Sequence, residues 1–313
     1  MAEIRVVASG LCFPEGPVAL PDGSLLVVEI ARGTLSRIEP DGSFEPVAFT
    51  GGGPNGAAIG PDGKCYVCNS GGYEFSQDAE HGMRPGLQPR DYTGGQIQRV
   101  DLRDGTVEVL YDRSERGKLR GPNDLVFDRH GGFWFTDIGK NRVAERDHGG
   151  VYYALPDGSS IREVIYPMVQ PNGIGLSPDE RRLYVAETIT GRLWAFDVVA
   201  PGEIAPRPFP SPNGGELLAG LPGFQLFDSL AVDSAGHVCV ATMHHAGITE
   251  IAPDGRVVGH FATPDRFTTN LCFGGADLRT AYITCSSTGR VVAMPWHRSG
   301  LALNFAQSPP QRR

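Results

Sequence analysis

Six polar residues recur in phase along this 313-residue chain: Glu15, Asn55, Asn123, Asn172, Asp228 and Asn270, at intervals of 40, 68, 49, 56 and 42 residues. Each opens a short apolar run that leads into a turn. Two carboxylates and four carboxamides make a set of hard oxygen donors with a formal charge of −2, which is the chemistry of a divalent-cation site. An isolated Asn in PNG or PND is an ordinary turn residue. Turn formation does not explain why Glu and Asp take the same place in two of the six units, so the set as a whole reads as a ring of ligands. On softness grounds such a ring favours Ca²⁺, Mg²⁺ or Mn²⁺.

The elements that must carry this ring are legible in the turns. The tripeptide PDG stands at Pro21, Pro40, Pro61, Pro156 and Pro253, and many of the 42 glycines and 25 prolines punctuate the chain in the same way. A D-G turn between two apolar runs marks a β-hairpin, because Gly and Asp accept the positive φ that a tight turn requires. Six segments share one pattern, beginning at Phe13, Gly53, Gly121, Gln170, Phe227 and Thr268. Several are followed by a second alternating hairpin, such as GGQIQRVDLRDGTVEVLY or GITEIAPDGRVVGHF. Two hairpins make a four-stranded blade, and the intervals match propeller blades of about 40 to 50 residues with insertions. The chain is therefore expected to be all-β, a six-bladed β-propeller of four-stranded antiparallel blades around a central channel. It forms a single domain over residues 1–306, with a disordered tail at 307–313. Only one further strand follows the last unit, so an N-terminal strand over Ile4 to Ala8 is expected to complete the sixth blade and remove its exposed edge. In a propeller the innermost strands all open at one mouth, which gathers the six polar residues there.

Two long intervals locate insertions, between Asn69 and Gly94 and between Asp197 and Gln225. The first is polar and rich in Pro and Gly, and reads as a lid over the mouth. Tyr73 and Arg90 within it become candidates for substrate contact. So does one residue of the pair His244-His245, since adjacent side chains on a strand face opposite ways; His244 is taken as the one near the channel. Asp137, Glu187 and Thr242 end second strands, where they could support the ring.

Composition narrows the function classes. Net charge is −8 and the basic residues are scattered, which speaks against nucleic acid. The longest apolar runs fall far below the ~18 residues of a membrane span, and the N-terminus has no leader pattern. A cytoplasmic protein, monomeric or a small homo-oligomer, acting on a small molecule is expected. Cys65 and Cys68 form a C-x-x-C, but on a strand residues i and i+3 point to opposite faces, so a structural role is expected for both. GGGPNG at Gly51 matches G-x-G-x-x-G yet leads into a strand and not a helix, and no G-x-S-x-G occurs.

FPEGP at Phe13, GPND at Gly121, PNGIGLSPDE at Pro171, FDSLAVDSAG at Phe227 and TNLCFGG at Thr269 resemble, in order, the signature blocks of the SMP-30/gluconolactonase/luciferin-regenerating-enzyme family. The resemblance covers roughly residues 5 to 296. It implies a six-bladed propeller with one divalent metal in the channel, held by Glu15, Asn172 and Asp228, with Asn123 ligating the metal or contacting the substrate beside it. Family members are known with Zn²⁺ and Fe²⁺ as well, so metal identity stays open. Asp228 matches the general base of the lactonases; Asn55 and Asn270 complete the ring as substrate contacts. Some sugar lactonases carry an Arg two residues before the Asn-Asp pair where this chain has Gly121, so their sugar specificity does not carry over. The expected reaction is hydrolysis of a sugar-acid lactone. Related propellers hydrolyse fluorophosphates and phosphotriesters with the same ligand pattern, other metal-assisted carbonyl chemistry would use the same ring, and a third class is a non-enzymatic calcium-binding propeller.

Overall fold

A computed structural model describes residues 3–306, and among them every regular element is a β-strand. The expected tail lies outside the described residues. Six antiparallel sheets follow one another around a channel. Blade 1 comprises Pro14–Ala19, Leu25–Glu29, Thr34–Ile38 and Phe44–Phe49, and blade 2 comprises Pro54–Ile59, Cys65–Asn69, Gln96–Val100 and Val107–Tyr111. Blades 3, 4, 5 and 6 begin with inner strands Pro122–Phe127, Pro171–Leu176, Leu226–Val232 and Thr268–Gly274. The N-terminal strand Arg5–Ser9 pairs with Arg290–Pro295 as the outer strand of blade 6, so first and last segments of the chain close the ring in one sheet. Blade 4 departs from the four-strand pattern. Its long third strand, Arg192–Ala200, is paired by two short pieces, Glu203–Ala205 and Glu216–Gly220, because the second insertion interrupts the outer strand. No helix among the described residues is long and apolar enough to cross a membrane.

Apolar clusters fill the seams between neighbouring blades. One joins Val126 and Trp134 of blade 3 to Ile174, Val185 and Trp194 of blade 4. Another joins Cys68 and Ile97 of blade 2 to Phe133 and Phe135 of blade 3. Cys65 lies instead in the seam between blades 1 and 2, which puts the two cysteines of the C-x-x-C on opposite faces as free, buried thiols. Burial pushes the Cys65 thiol up to about 12, which leaves it unreactive.

Two features of the inner strands position the site. First, every inner strand slips register against its second strand near its start: between Glu15 and Val18, Pro54 and Ala57, Pro122 and Leu125, Pro171 and Ile174, Phe227 and Leu230, and Thr268 and Asn270. A bulge frees its residues from the ladder and re-aims their side chains, and five of the six slips begin at or just before the polar residue of the ring. Second, neighbouring inner strands meet through glycine. A Cβ on Gly16 would stand 2.4 Å from the Asn55 carbonyl oxygen, one on Gly56 2.6 Å from the Asn123 carbonyl oxygen and the Asp124 Cα, and one on Gly173 2.5 Å from the Leu230 nitrogen. The ring narrows because these side chains are missing.

Below the bulges the channel wall is mainly apolar. A cavity of 420 Å³ is walled by Val18, Ile59, Phe127, Leu176, Val232 and Phe273. The C-terminal segment closes its far end. Asn304 donates to the Phe127 carbonyl at 3.1 Å and to Glu180 Oε1 at 2.7 Å, and the Phe305 ring meets Phe127 edge-on at 5.9 Å.

The close approach at Gly56 has a measurable consequence. Gly56→Ala should lower stability by about 2 kcal/mol, the usual cost of overpacking, read as a fall in the urea midpoint at unchanged slope.

Candidate functional site

Glu15, Asn55, Asn123, Asn172, Asp228 and Asn270 are all buried at the bulged starts of the six inner strands. Two contacts between blades tie several of them together. Asn270 Nδ2 donates to Glu15 Oε2 at 2.9 Å, which joins blade 6 to blade 1, and the Gly16 amide donates to the same oxygen at 2.9 Å. Asn172 hydrogen-bonds Asp228 and also donates to Thr188 Oγ1 at 3.0 Å, and Ser229 donates to Asn172 Oδ1 at 3.4 Å. Asn123 differs from both amides: its Oδ1 is buried and accepts no hydrogen bond. No side-chain hydrogen bond ties Asn55 to the group among the described residues.

The electrostatics are dominated by like charges out of water. Burial is the first cause and the neighbouring Glu15 charge the second in pushing the Asp228 carboxyl well above its ordinary range. Burial also raises Glu15, against the opposing hydrogen bonds from Thr269, Gly16 and Asn270. A third carboxyl belongs with them. Asp124, next to Asn123 on the blade 3 bulge, is raised to about 7 by burial and by the Glu15 charge, while its Oδ1 accepts the Leu125 amide at 2.9 Å. Sequence reasoning passed over Asp124 because strand alternation sends it away from the side that Asn123 faces; only the bulge brings successive residues to the axis. Three raised carboxyls mean that the folded chain keeps protons which the unfolded chain has already released. Metal-free stability therefore falls as pH rises above about 4 until the folded groups also ionise.

A cation is the natural remedy, and the donor set fits one. Glu15 and Asp228 supply opposing charge, the Asn123 Oδ1 is an orphaned buried acceptor, and Asn172 lies against Asp228. All are oxygen ligands, as a hard divalent ion requires.

The second-strand residues do other work. Asp137 accepts the amides of Arg120, Gly121 and Gly139 at 2.8, 2.7 and 2.9 Å, and Glu187 accepts that of Val169 at 2.8 Å. They fix the backbone leading into each inner strand. Thr242 bonds Thr249 within its own blade at 2.7 Å. Arg120 points to Asp147, away from the ring.

The first insertion spans the mouth. It forms a hairpin, Phe75–Asp78 with Gly82–Pro85, whose tip reaches blade 6 through Met83 donating to the Ser287 carbonyl at 2.9 Å. Gln88 donates to the Asn141 carbonyl of blade 3 at 2.9 Å. Tyr73 sits beneath it, bonded to Ser70; burial raises its hydroxyl above the ordinary value, and the charges of Asp228, Glu15 and Asp137 add to that rise. Aromatic contacts run from Tyr73 through Phe75, Phe13 and Phe267 to His244 and Phe224, at centroid distances of 5.3 to 6.4 Å. His244 is thus an exposed member of the mouth wall and Arg90 an exposed residue of the insertion.

Lys140 was also missed, since no periodic signal marks a lone lysine in a loop. It is 2% exposed, donates to the Gly72 carbonyl at 2.6 Å, and lies 4.3 Å and 5.3 Å from the ring centres of Tyr73 and Tyr92. These three residues are the two feet of the insertion, so one amine pins both. Burial holds the ammonium down to about 7, against the pull of Asp137 and Asp147. A lysine lowered on folding penalises the folded state below pH 7, and the penalty lifts between about 7 and 10.5. Relative to Lys140→Met, wild-type stability should rise across that window, with a slope of up to about 1.4 kcal/mol per pH unit. Parallel stability profiles from denaturant titrations of the two proteins would contradict this.

Known proteins share this architecture. The SMP-30/Gluconolactonase/LRE-like region matches residues 13–287. The gluconolactonase of Zymomonas mobilis is 27% identical over 90% of this chain and 79% of its own length. The lactonase drp35 of Staphylococcus saprophyticus is 29% identical over 82% and 70%. The crystal structure of a calcium-binding protein, regucalcin, from Agrobacterium tumefaciens superposes with a TM-score of 0.74, covering 100% of this chain and 98% of that one at 17% identity, a likeness of fold. With the family region spanning most of the chain and the fold matching in full, the chain belongs to the SMP-30/gluconolactonase/LRE-like family.

Proposed function

We propose that the protein is a metal-dependent lactonase whose reaction centre is the buried ring of Glu15, Asn123, Asn172 and Asp228. The lactonase names of its relatives support the reaction class. The observation that carries the metal is the unpartnered, buried Asn123 Oδ1 in a ring whose carboxyls raise one another. Glu15, Asn172 and Asp228 would hold the ion, with Asn123 ligating it or the substrate. Bound there, a divalent ion supplies polarisation of the lactone carbonyl and a supply of acidified water.

The chain's own groups then divide the proton work. Asp228 takes the proton of the attacking water, the acyl C–O bond of the lactone breaks, and the ring oxygen leaves as a hydroxyl. Charge on the cation weakens a coordinated carboxylate as a base. Burial and the Glu15 charge push Asp228 the other way, toward a stronger base. Asp124, the carboxyl next to Asn123 on the blade 3 bulge, is the group assigned to return a proton to the departing oxygen. Asn55, Asn270, Tyr73 and His244 are substrate contacts in this reading, with the insertion excluding bulk water. An acidic chain with its cysteines free fits a cytoplasmic site of action on a small molecule.

A pH-indicator assay of the metal-loaded protein against aldonolactones and simple γ- and δ-lactones, with a fluorophosphate as control, tests the class. Lactone turnover without fluorophosphate turnover is expected. Asp228→Asn should cut kcat by at least about 100-fold; full activity in that variant would remove Asp228 as the base. Glu15→Gln should raise the metal-free melting temperature by relieving the carboxyl repulsion, while abolishing the further rise that added metal gives the wild type.

A further inference from the structure

A second buried acid pair lies outside the channel, on blade 5, and comparison between blades exposes it. In blade 1 the turn after the inner strand carries Asp22, and the second residue of the second strand, Leu26, pairs with Arg37, which bonds Asp22. In blade 2 the corresponding pair is Asp62 and Arg99, 3.4 Å apart. Blade 3 has Asp128 and Tyr153, whose hydroxyl donates at 2.8 Å. In these three blades the turn carboxylate thus faces a donor. At the same position blade 5 places Glu250, opposite Cys239, facing Asp233. Acid faces acid, and both side chains are 0% exposed.

What surrounds the pair is nitrogen. His237 Nδ1 is 2.5 Å from Glu250 Oε1 and 4.0 Å from Asp233 Oδ2. His297 Nε2 is 3.2 Å from Glu250 Oε2, an oxygen that is fully buried yet accepts no hydrogen bond. Arg298, which follows the last strand of blade 6, reaches both acids with one nitrogen, at 2.9 Å from Asp233 and 2.7 Å from Glu250. The same Arg298 nitrogen stands 3.2 Å from His237 Nδ1 and 3.3 Å from His297 Nε2, so one guanidinium is the only permanent positive charge these two buried acids share, and buried carboxylates are costly without a matching cation. The carboxylate and imidazole ligand atoms of Asp233, His237 and Glu250 lie within 4.8 Å of one another, close enough to share one ion.

We propose that Asp233, His237 and Glu250, with His297 at the rim, form a second divalent-cation site distinct from the channel. Mixed imidazole and carboxylate ligands select a borderline ion such as Zn²⁺ or Co²⁺ over Ca²⁺, in contrast to the all-oxygen ring. A dication neutralises the two carboxylates completely. Arg298 is its competitor, because a guanidinium and a dication cannot both sit between the same two oxygens. The guanidinium can withdraw, since its side chain is 29% exposed. Loading the site thus releases the Arg298 contacts with Asp233 and Glu250, while the backbone bonds of Ser299 and Leu301 keep the segment after blade 6 on blade 5.

The test uses the full chain with the channel ring disabled by Glu15→Gln and Asp228→Asn, so that its outcome is independent of lactone hydrolysis. Equilibrium dialysis against Co²⁺, with bound metal counted by mass spectrometry and the ligand field read from visible absorption, should give one ion per chain. Adding His237→Ala or Glu250→Gln should remove that ion; Glu250→Gln eliminates a buried charge and keeps the shape of the side chain, so it guards against loss by misfolding. Arg298→Met should tighten binding. No bound cobalt in the channel-disabled protein, even with Arg298→Met, or binding unchanged by both His237→Ala and Glu250→Gln, would overturn the site.

Discussion

Repulsion among carboxylates held out of water on the channel axis is the constraint on which the rest of the structure depends. Glu15 raises both Asp228 and Asp124, and burial raises all three, so the ring opposes its own assembly at neutral pH unless a positive charge joins it. The fold supplies partial relief through neutral donors, with Asn270 and the Gly16 amide on Glu15 and Asn172 on Asp228. The Asn270 bond crosses from blade 6 to blade 1 and Asn172 of blade 4 lies against Asp228 of blade 5, so this relief is complete only when the ring is closed. Function and closure are one structural event.

The scaffold makes that crowding tolerable. Core seams of large aromatics and β-branched residues fix the blades at their outer parts, while glycines let the inner strands converge to within contact distance. The bulges turn the polar side chains inward without breaking the remainder of each ladder. Second-strand carboxylates such as Asp137 and Glu187 hold the segments that lead into the inner strands, which fixes where each bulge begins. Lys140 extends the same economy to the roof, where a single buried amine holds both feet of the insertion and the tyrosine that lies nearest the ring.

Much of this was legible in the sequence because the relevant signals are local and repeated. Turns such as PDG report hairpins directly, six of them in phase report blades, and the phase itself singles out the six polar residues that lie buried at the starts of the inner strands. The N-terminal closing strand followed from counting strands in the last unit. What escaped had no local signature. Asp124 looks like the outward residue of an alternating strand until a bulge re-aims it. Lys140 acquires its role from Tyr73 and Tyr92, which are 67 and 48 positions away in sequence. The divided edge of blade 4 and the hairpin within the first insertion were hidden by proline-rich and polar composition that reads as loop. The Asp233 and Glu250 pair emerges only when register shows which third-strand residue faces each turn.

In the proposed function, one cation on the channel ring both balances the buried carboxylates and enables lactone hydrolysis. The most direct measurement is the lactone hydrolysis rate of chelator-stripped protein, in a His237→Ala background, titrated with divalent metal while bound metal is counted. The rate should be near zero in the stripped protein and should rise linearly to saturation at one bound equivalent. Full hydrolysis by the stripped protein, or activity unrelated to the first bound ion, would contradict a metal-dependent reaction at the ring.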